Sequence, residues 1–447
     1  MLFLKFFDDI FCKKVSTGGG TGRLAPLRGV CRKAWGFKSP PVHQEFIFKI
    51  KFFMDKRDYI VAKDPVSEKL LEGLKERQDV NATRIRKLLD LPDLSRRENS
   101  PIKFIVEKIL GMESFKDFDV IEIPEIVSVR DNFDLLNASA DHPSRKETDT
   151  YYISKDYILR TQTTVMWPFY LQKENVLKKL NGEGEIGLLS YGKVFRKDEI
   201  DRNHFPVFHQ IDGLYICRKE KKIIGIPELR EVLASITKAI YGDKVKFRFL
   251  EDTFPFTDPS TQIEIKVSGK DKVESMKEEE KWLEIVGAGV VHTQVLSNLN
   301  IDPSVYNGWA FGFGLERIAM VKMNIPDIRI FWSDDPRITS QFKNIDSQYK
   351  EVSKFPMTYR DISFVVPKSM SLNNYYEIVR DYAGNLVEEV KLTDKYEDDE
   401  KFGNDKLSYT FRIIYRSPER TLTNEEVNQI QEKIIEKTKE ELGATIR

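Results

Sequence analysis

Cysteine and histidine are scarce in this chain. Its three cysteines among 447 residues, Cys12, Cys31 and Cys217, are too few and too scattered for a disulfide framework. None of its five histidines pairs with them at zinc-ligand spacing. A disulfide scaffold and a zinc module are thereby excluded, a reducing compartment fits, and Cys217 reads as a small core residue. Long hydrophobic runs are missing too. The longest, such as Ile285 to Val291, fall far short of the roughly 20 residues of a spanning helix, so the chain reads as soluble with no membrane partner. Neither sign of charge prevails, since Lys+Arg and Asp+Glu both total 71. A nucleic acid must then be met by a local basic surface, not by a general field. What the chain does have is length and 40% hydrophobic content, enough for two or three domains that each bury a core.

Residues 1–53 differ from the rest, being basic and glycine-rich, with only Asp8, Asp9 and Glu45 as acids before Asp55. One reading is an organellar transit peptide, which is basic and poor in acids. The other is that the stretch is not normally translated and that Met54 is the start. Gly36-Phe37-Lys38-Ser39-Pro40 back-translates through a tRNA T-arm sequence, and Val42-His43-Gln44 through CCACCA, like an encoded tRNA 3′ end. That end fits a prokaryotic gene.

Residues 54–130 read as a helical lead-in. Leu70, Leu71, Leu74, Leu88 and Leu89 recur near period 3.6 between Pro65 and Leu91, and a second helix covers Ile102 to Leu110. An apolar and acidic stretch, Phe118 to Val127, follows, and residues 131–143 carry turn chemistry. Strands are expected over Ile186 to Phe195, Val207 to Ile216, Val245 to Leu250, Gln262 to Lys266 and Trp282 to Val291, with a helix over Pro227 to Tyr241. This succession implies an α+β fold with an antiparallel sheet flanked by helices over 131–334. Polar residues 335–354 read as a linker. The order strand, helix, two strands, helix, short strand over 355–447 is that of a ferredoxin-like domain. In its third strand Tyr409, Phe411, Ile413 and Tyr415 alternate with Thr410, Arg412, Ile414 and Arg416, a core face and a face that is either solvated or phosphate-binding. Thr423 is an expected N-cap, with Glu426 completing a capping box.

Two stretches carry chemistry. Gly192-Lys193-Val194-Phe195-Arg196-Lys197-Asp198, a polar loop through His204, and Phe208-His209-Gln210-Ile211-Asp212-Gly213 form a strand, loop and returning strand that resemble motif 2 of class II aminoacyl-tRNA synthetases. Gly312-Phe313-Gly314-Leu315-Glu316-Arg317 is similar to motif 3, read as a small-residue turn leading into a helix. Phe254-Pro255-Phe256-Thr257-Asp258-Pro259-Ser260 and Gly308-Trp309-Ala310-Phe311-Gly312 resemble the amino-acid pocket of the phenylalanine–tRNA ligases. The resemblance runs from about Asn132 to Arg447. It is nearest to the monomeric mitochondrial form, whose catalytic chain carries its own anticodon-binding domain.

The resemblance implies ATP-dependent formation of phenylalanyl-adenylate and transfer to the 3′ end of tRNA(Phe). A carboxylate is already a nucleophile at neutral pH, so attack on the α-phosphate needs alignment and charge stabilisation, not a general base. Arginine suits this because its planar fork grips phosphate oxygens without losing its proton. By match to the motifs, Arg196 holds the α-phosphate and Arg317 the γ-phosphate, Phe208 stacks on adenine, His204 lies over the β- and γ-phosphates, and Asp198 stands where the family has Glu near the adenine amine. Gln210 and Asp212 receive the amino group. Leu159-Arg160-Thr161-Gln162-Thr163-Thr164 matches an Arg-Thr-His-Thr-Ser/Thr element with Gln162 in place of histidine, and Thr164 reaches the amino group. Phe254 and Phe256 meet the substrate ring edge to face, and Ala310 closes the floor opposite its para carbon. An apolar wall rejects an added hydroxyl by roughly 10²-fold only, and no stretch is long enough for an editing module. Magnesium is expected with ATP, held mainly by phosphates plus one carboxylate, with Glu264 and Glu284 as candidates. Lys406, Arg412, Arg416 and Arg420 are the expected tRNA-facing charges; on this reading, removing 355–447 weakens tRNA binding and spares adenylate formation. The expected address is cytoplasmic, with the mitochondrial matrix as the alternative, and the expected state a monomer. A synthetase-like tRNA-binding protein without catalysis, or a class II ligase for another amino acid, are the competing readings.

Overall fold

The computed structural model describes residues 57–267, 281–351, 355–417 and 419–447; both readings of residues 1–53 lie outside the described residues. The chain opens with strand β1 (Tyr59–Val61). The helical stretch that follows is two helices, α1 (Pro65–Glu76) and α2 (Val80–Leu89). It breaks because the Asp79 side chain accepts from the Ala82 amide at 2.9 Å, an N-cap bond that restarts the helix. Helix α3 (Pro101–Leu110) starts behind Ser100 with proline in its first turn. Strands β2 (Asp119–Glu122) and β3 (Ile126–Ser128) come next. The loop read over 131–143 contains one wide helical turn, Arg130–Asp134.

Strand β4 (Tyr157–Leu159) pairs antiparallel with β3 in a separate two-stranded sheet, and helices α4 (Met166–Leu171) and α5 (Glu174–Glu183) lead to the long hairpin β5 (Glu185–Phe195) and β6 (Val207–Arg218). Then follow α6 (Ile226–Tyr241), β7 (Phe247–Phe254), β8 (Thr257–Val267), β9 (Lys281–Val291), α7 (Thr293–Asn298), β10 (Tyr306–Gly314) and α8 (Leu315–Met323). Eight strands join in the order β1-β2-β5-β6-β10-β9-β8-β7. The pairs are antiparallel from β5 onward, while β1 and β2 add two parallel strands at one edge. The segment read as a helical lead-in therefore also supplies sheet. Strand β8 begins earlier than expected, at Thr257, whose hydroxyl lies 2.8 Å from that of Ser260 in a mutual hydrogen bond. The glycines of the motif 3 stretch are not a turn: Gly312 and Gly314 end β10, and α8 starts at once.

The sheet is buried on both sides. One face packs Ile211, Phe311 and Phe313 against Ile85, Ile105, Leu233 and Ile318 of α2, α3, α6 and α8. The other packs Leu188, Leu214 and Ala310 against Trp167, Leu180 and Leu296 of α4, α5 and α7. The stretch read as a linker contains a short helix, α9 (Pro336–Thr339), and anchors Ile338 and Phe342 in the first of these cores.

The C-terminal domain runs β11 (Thr358–Pro367), α10 (Leu372–Ala383), β12 (Val387–Tyr396), a short α11 (Asp399–Phe402), β13 (Lys406–Tyr415), α12 (Asn424–Leu442) and β14 (Thr445–Ile446). Its antiparallel sheet is ordered β12-β13-β11-β14, with Tyr409, Phe411, Ile413 and Tyr415 buried as expected. Thr423 caps α12 by accepting from the Glu426 amide at 3.2 Å, but the Glu426 carboxylate pairs with Arg420, so the expected capping box is half formed.

The loop between β5 and β6 is held by this domain. Ile200 is buried in the C-terminal core, and its carbonyl accepts from the Val390 amide at 2.9 Å. Arg380 donates to the Asp198 carbonyl at 2.7 Å. Arg202 donates to the buried Glu388 at 3.0 Å from Nε, and Arg416 meets the same carboxylate at 2.6 Å.

Candidate active site

The site is a cavity of about 570 Å³ over the sheet. In β6 side chains alternate: Phe208, Gln210 and Asp212 line the cavity, while His209 and Ile211 enter the core below. Register does the rest, placing Gln210 opposite Gly192 and Gly314, and Asp212 opposite Ser190 and Gly312. A Cβ on Gly312 would come within 2.8 Å of the Asp212 carboxylate, and one on Gly287 within 2.6 Å of the Phe254 ring. Glycine at these two positions keeps the floor of the cavity open.

Asp212 is 3% exposed and accepts hydrogen bonds from Thr163 at 2.7 Å and from Thr164. Burial pushes its carboxyl up to about 6 against those two bonds. Gln210 accepts from the Thr163 amide at 3.3 Å, and Gln162 donates to the Asn132 carbonyl at 3.3 Å. Asn132, fully buried, fixes this loop by bonding Thr161 through its side-chain amide at 2.9 Å and its carbonyl at 3.2 Å. Acceptors thus converge on one spot suited to a cationic amino group.

Beside it, Phe254 and Phe256 stack with centroids 5.9 Å apart, and Phe256 stands edge-on to the buried Trp167 at 6.0 Å. With Ala310 these rings form an apolar slot. Toward the open end, Arg196 donates to the Thr161 carbonyl at 2.9 Å and lies 5.3 Å over the Phe208 ring. Arg317 reaches the same cavity, as do Asp198 and His204. The hydrogen bond that His204 Nδ1 donates to Asp201, at 2.8 Å, holds the imidazole toward its charged form against partial burial. Arg196, Arg317 and His204 make that end cationic.

The two magnesium candidates part company. Glu284 lines the cavity, with its carboxyl pushed up by burial and drawn back by Arg317. Glu264 pairs with Arg248 at 2.6 Å and is not part of the lining. Of the expected tRNA-facing residues, Arg412 is clasped by Asp361 through two 2.8 Å bonds over the Tyr359 ring, and Arg420 by Glu426. Arg416 turns to Glu388 at the domain junction, while Lys406 is exposed at the start of β13. Sequence reasoning missed Thr163, Trp167 and Asn132; the position of Thr163 next to Thr164 was its only visible signal.

Among the described residues no helix is long and apolar enough to cross a membrane. Residues 89–342 match the family described as the class II core domain (F) of tRNA synthetases, and residues 353–447 the ferredoxin-fold anticodon-binding domain. A chloroplastic/mitochondrial phenylalanine–tRNA ligase of Arabidopsis thaliana is 36% identical over 79% of this chain and 80% of its own length. The mitochondrial phenylalanine–tRNA ligase of Saccharomyces cerevisiae is 31% identical over 84% and 94%. A phenylalanine–tRNA ligase alpha subunit from Caldicellulosiruptor bescii is 40% identical, but over 51% of this chain and 63% of its own. A class II core, a ferredoxin-fold anticodon-binding domain and relatives that span both place this chain in the phenylalanine–tRNA ligase family of class II aminoacyl-tRNA synthetases.

Proposed function

We propose that the chain activates L-phenylalanine with ATP and esterifies it to tRNA(Phe). The observation that carries this reading is a buried carboxylate, Asp212, set beside an aromatic slot and facing two arginines across one cavity. The amino group docks on Asp212, Gln210 and Thr164, and the ring enters between Phe254, Phe256 and Ala310. The substrate carboxylate then points at the α-phosphate of an ATP whose adenine stacks on Phe208. Attack forms the carboxyl–phosphate bond and expels pyrophosphate. Arg196 bears the charge that develops at the α-phosphate, while Arg317 and His204 hold the departing phosphates. In the second step a terminal ribose hydroxyl of the tRNA attacks the adenylate carbonyl and AMP leaves. Gln162, bonded to Asn132, orders the amino-acid side of the site, and Asp198 takes the adenine edge.

The cavity fits a magnesium ion bound with the nucleotide: Glu284 is a partly buried carboxylate on its wall, suited to an ion held mostly by phosphates. Such an ion, when bound, neutralises phosphate charge. Lys406, Arg412 and Arg420 form the tRNA-facing set of the C-terminal domain. The enzyme acts as a monomer, and the names of its organellar relatives favour the mitochondrial matrix over the cytoplasm. Residues 57–342 work as one catalytic unit and 355–447 as the anticodon-binding one.

Phenylalanine-dependent ATP–pyrophosphate exchange tests this reading. Exchange with phenylalanine and charging of tRNA(Phe) are expected. Absence of exchange with any amino acid would favour a tRNA-binding protein without catalysis, and exchange with another amino acid a different ligase.

A further inference from the structure

At the wall of the cavity lies a polar pair that the reaction as described does not use: Glu316 is part of the lining, and His209 sits in the core beneath it. His209 is fully buried and Glu316 is 3% exposed. The imidazole Nδ1 of His209 is 2.6 Å from Glu316 Oε1, and the backbone amide of the same histidine donates to Oε2 at 2.8 Å. On the far side of the ring, the Leu94 amide donates to Nε2 at 2.9 Å, with Asp93 3.4 Å away. An amide hydrogen directed at Nε2 puts the ring's proton on Nδ1, where it is donated to Glu316. Both oxygens of Glu316 are therefore spent on one residue of another element. Trp332 covers the ring, with centroids 5.7 Å apart.

Burying a carboxylate is unfavourable unless its partners are well placed. An apolar contact would fill the space equally well but would leave the helix free to rotate or slide. A two-point bond from the first turn of α8 to β6 fixes both distance and rotation. The sequence neighbours of the clasp are the expected ATP contacts: Phe208 precedes His209, and Arg317 follows Glu316. The amino-group site is anchored independently, through Thr163 and Thr164 on Asp212.

We propose that His209 and Glu316 are positioning residues that hold the adenine-stacking strand in register with the phosphate-binding helix, and so set the affinity for ATP. This rests on the function proposed above. The variants are Glu316→Gln, whose amide can accept from only one of the two donors, His209→Leu, which removes the side-chain donor, and His209→Asn, whose side-chain amide lies near Nδ1.

Pyrophosphate exchange and calorimetric titration of ATP are the two measurements. Glu316→Gln and His209→Leu should each raise the KM and Kd for ATP about 10- to 100-fold. The KM for phenylalanine and kcat at saturating ATP should stay within about three-fold of the unaltered protein. His209→Asn should restore the ATP constants to within about three-fold. The proposal is overturned if ATP affinity stays within that margin in both disruptive variants, if ATP and phenylalanine constants deteriorate together, or if His209→Asn behaves like His209→Leu. Absence of exchange by the unaltered protein would sink the functional reading alone, because calorimetry still reads the effect of the clasp on ATP binding.

Discussion

Replacing Asp212 by asparagine should make the protein less sensitive to pH. The Asp212 carboxyl is buried, its hydrogen-bond donors are two neutral hydroxyls, and burial raises it from 3.8 to about 6. An acid raised in the fold binds its proton more tightly there than in the unfolded chain. Its stabilising contribution is therefore complete below about 3.8 and is lost as pH rises through about 6. That interval corresponds to about 3 kcal/mol at about 1.36 kcal/mol per pH unit, and roughly 1.4 kcal/mol of it falls between about pH 5 and pH 7.5. The amide introduced by Asp212→Asn does not titrate, while every other group is common to both proteins. Urea unfolding at the two pH values should show the unfolding free energy of the unaltered protein falling, relative to Asp212→Asn, by about that amount. A second measurement reads the same charge from the ligand side. Phenylalanine binding should weaken about ten-fold per pH unit below about 6 in the unaltered protein, and should be weak and flat with pH in Asp212→Asn. A stability difference that stays constant between the two pH values, or phenylalanine affinity that is flat in the unaltered protein, would refute the reasoning.

Ala310→Gly should deepen the slot and improve kcat/KM for para-chlorophenylalanine by about ten-fold or more; unchanged selectivity in pyrophosphate exchange would count against the pocket assignment. Arg412→Ala should leave stability almost unchanged, since its pair with Asp361 is exposed and solvent-screened. It should also weaken tRNA binding and lower the salt slope by about one, read by filter binding at several salt concentrations. Removing residues 355–447 should raise the KM for ATP about ten-fold as well as weakening tRNA binding, because Asp198, Ile200 and Arg202 lose their partners. An unchanged ATP constant in the shortened chain would show that the β5–β6 loop orders itself.

The last of these revises the expectation drawn from sequence, and the reason is physical. Local periodicity exposes what a residue shares with its near neighbours. It revealed the strand over 207–216, the helix over 227–241, the alternation of β13 and the strand and helix order of the C-terminal domain. Contacts across long separations leave no such trace. Glu316 clasps His209 across 107 residues, and Arg202 reaches Glu388 across 186. Strands β1 and β2, three and four residues long, are too short to show a period, and their parallel partners are distant in sequence. The magnesium candidates were inseparable for a related reason. Glu264 and Glu284 sit opposite each other in register, and only the neighbouring Arg248 decides that one is neutralised by an ion pair. The cavity-lining residues drawn from motif resemblance converge because strand pairing carries them there: Gln210, Asp212 and Ala310 lie on the paired strands β6 and β10.

The burial of Ile200 in the C-terminal core bears on synthesis of the chain as well as on its finished form. A ribosome releases residue 200 long before the residues that receive it, since Arg380 and Glu388 follow their loop partners by 182 and 186 positions. The sheet can assemble as β5 to β10 emerge, yet the nucleotide-facing loop has nothing to close against until the last domain has folded. A nascent or prematurely terminated chain would then present a nearly complete sheet with a loose ATP loop and an exposed isoleucine. Such a fragment is a natural substrate for chaperones, and it is one that would hold ATP only weakly until the last domain closes on the loop.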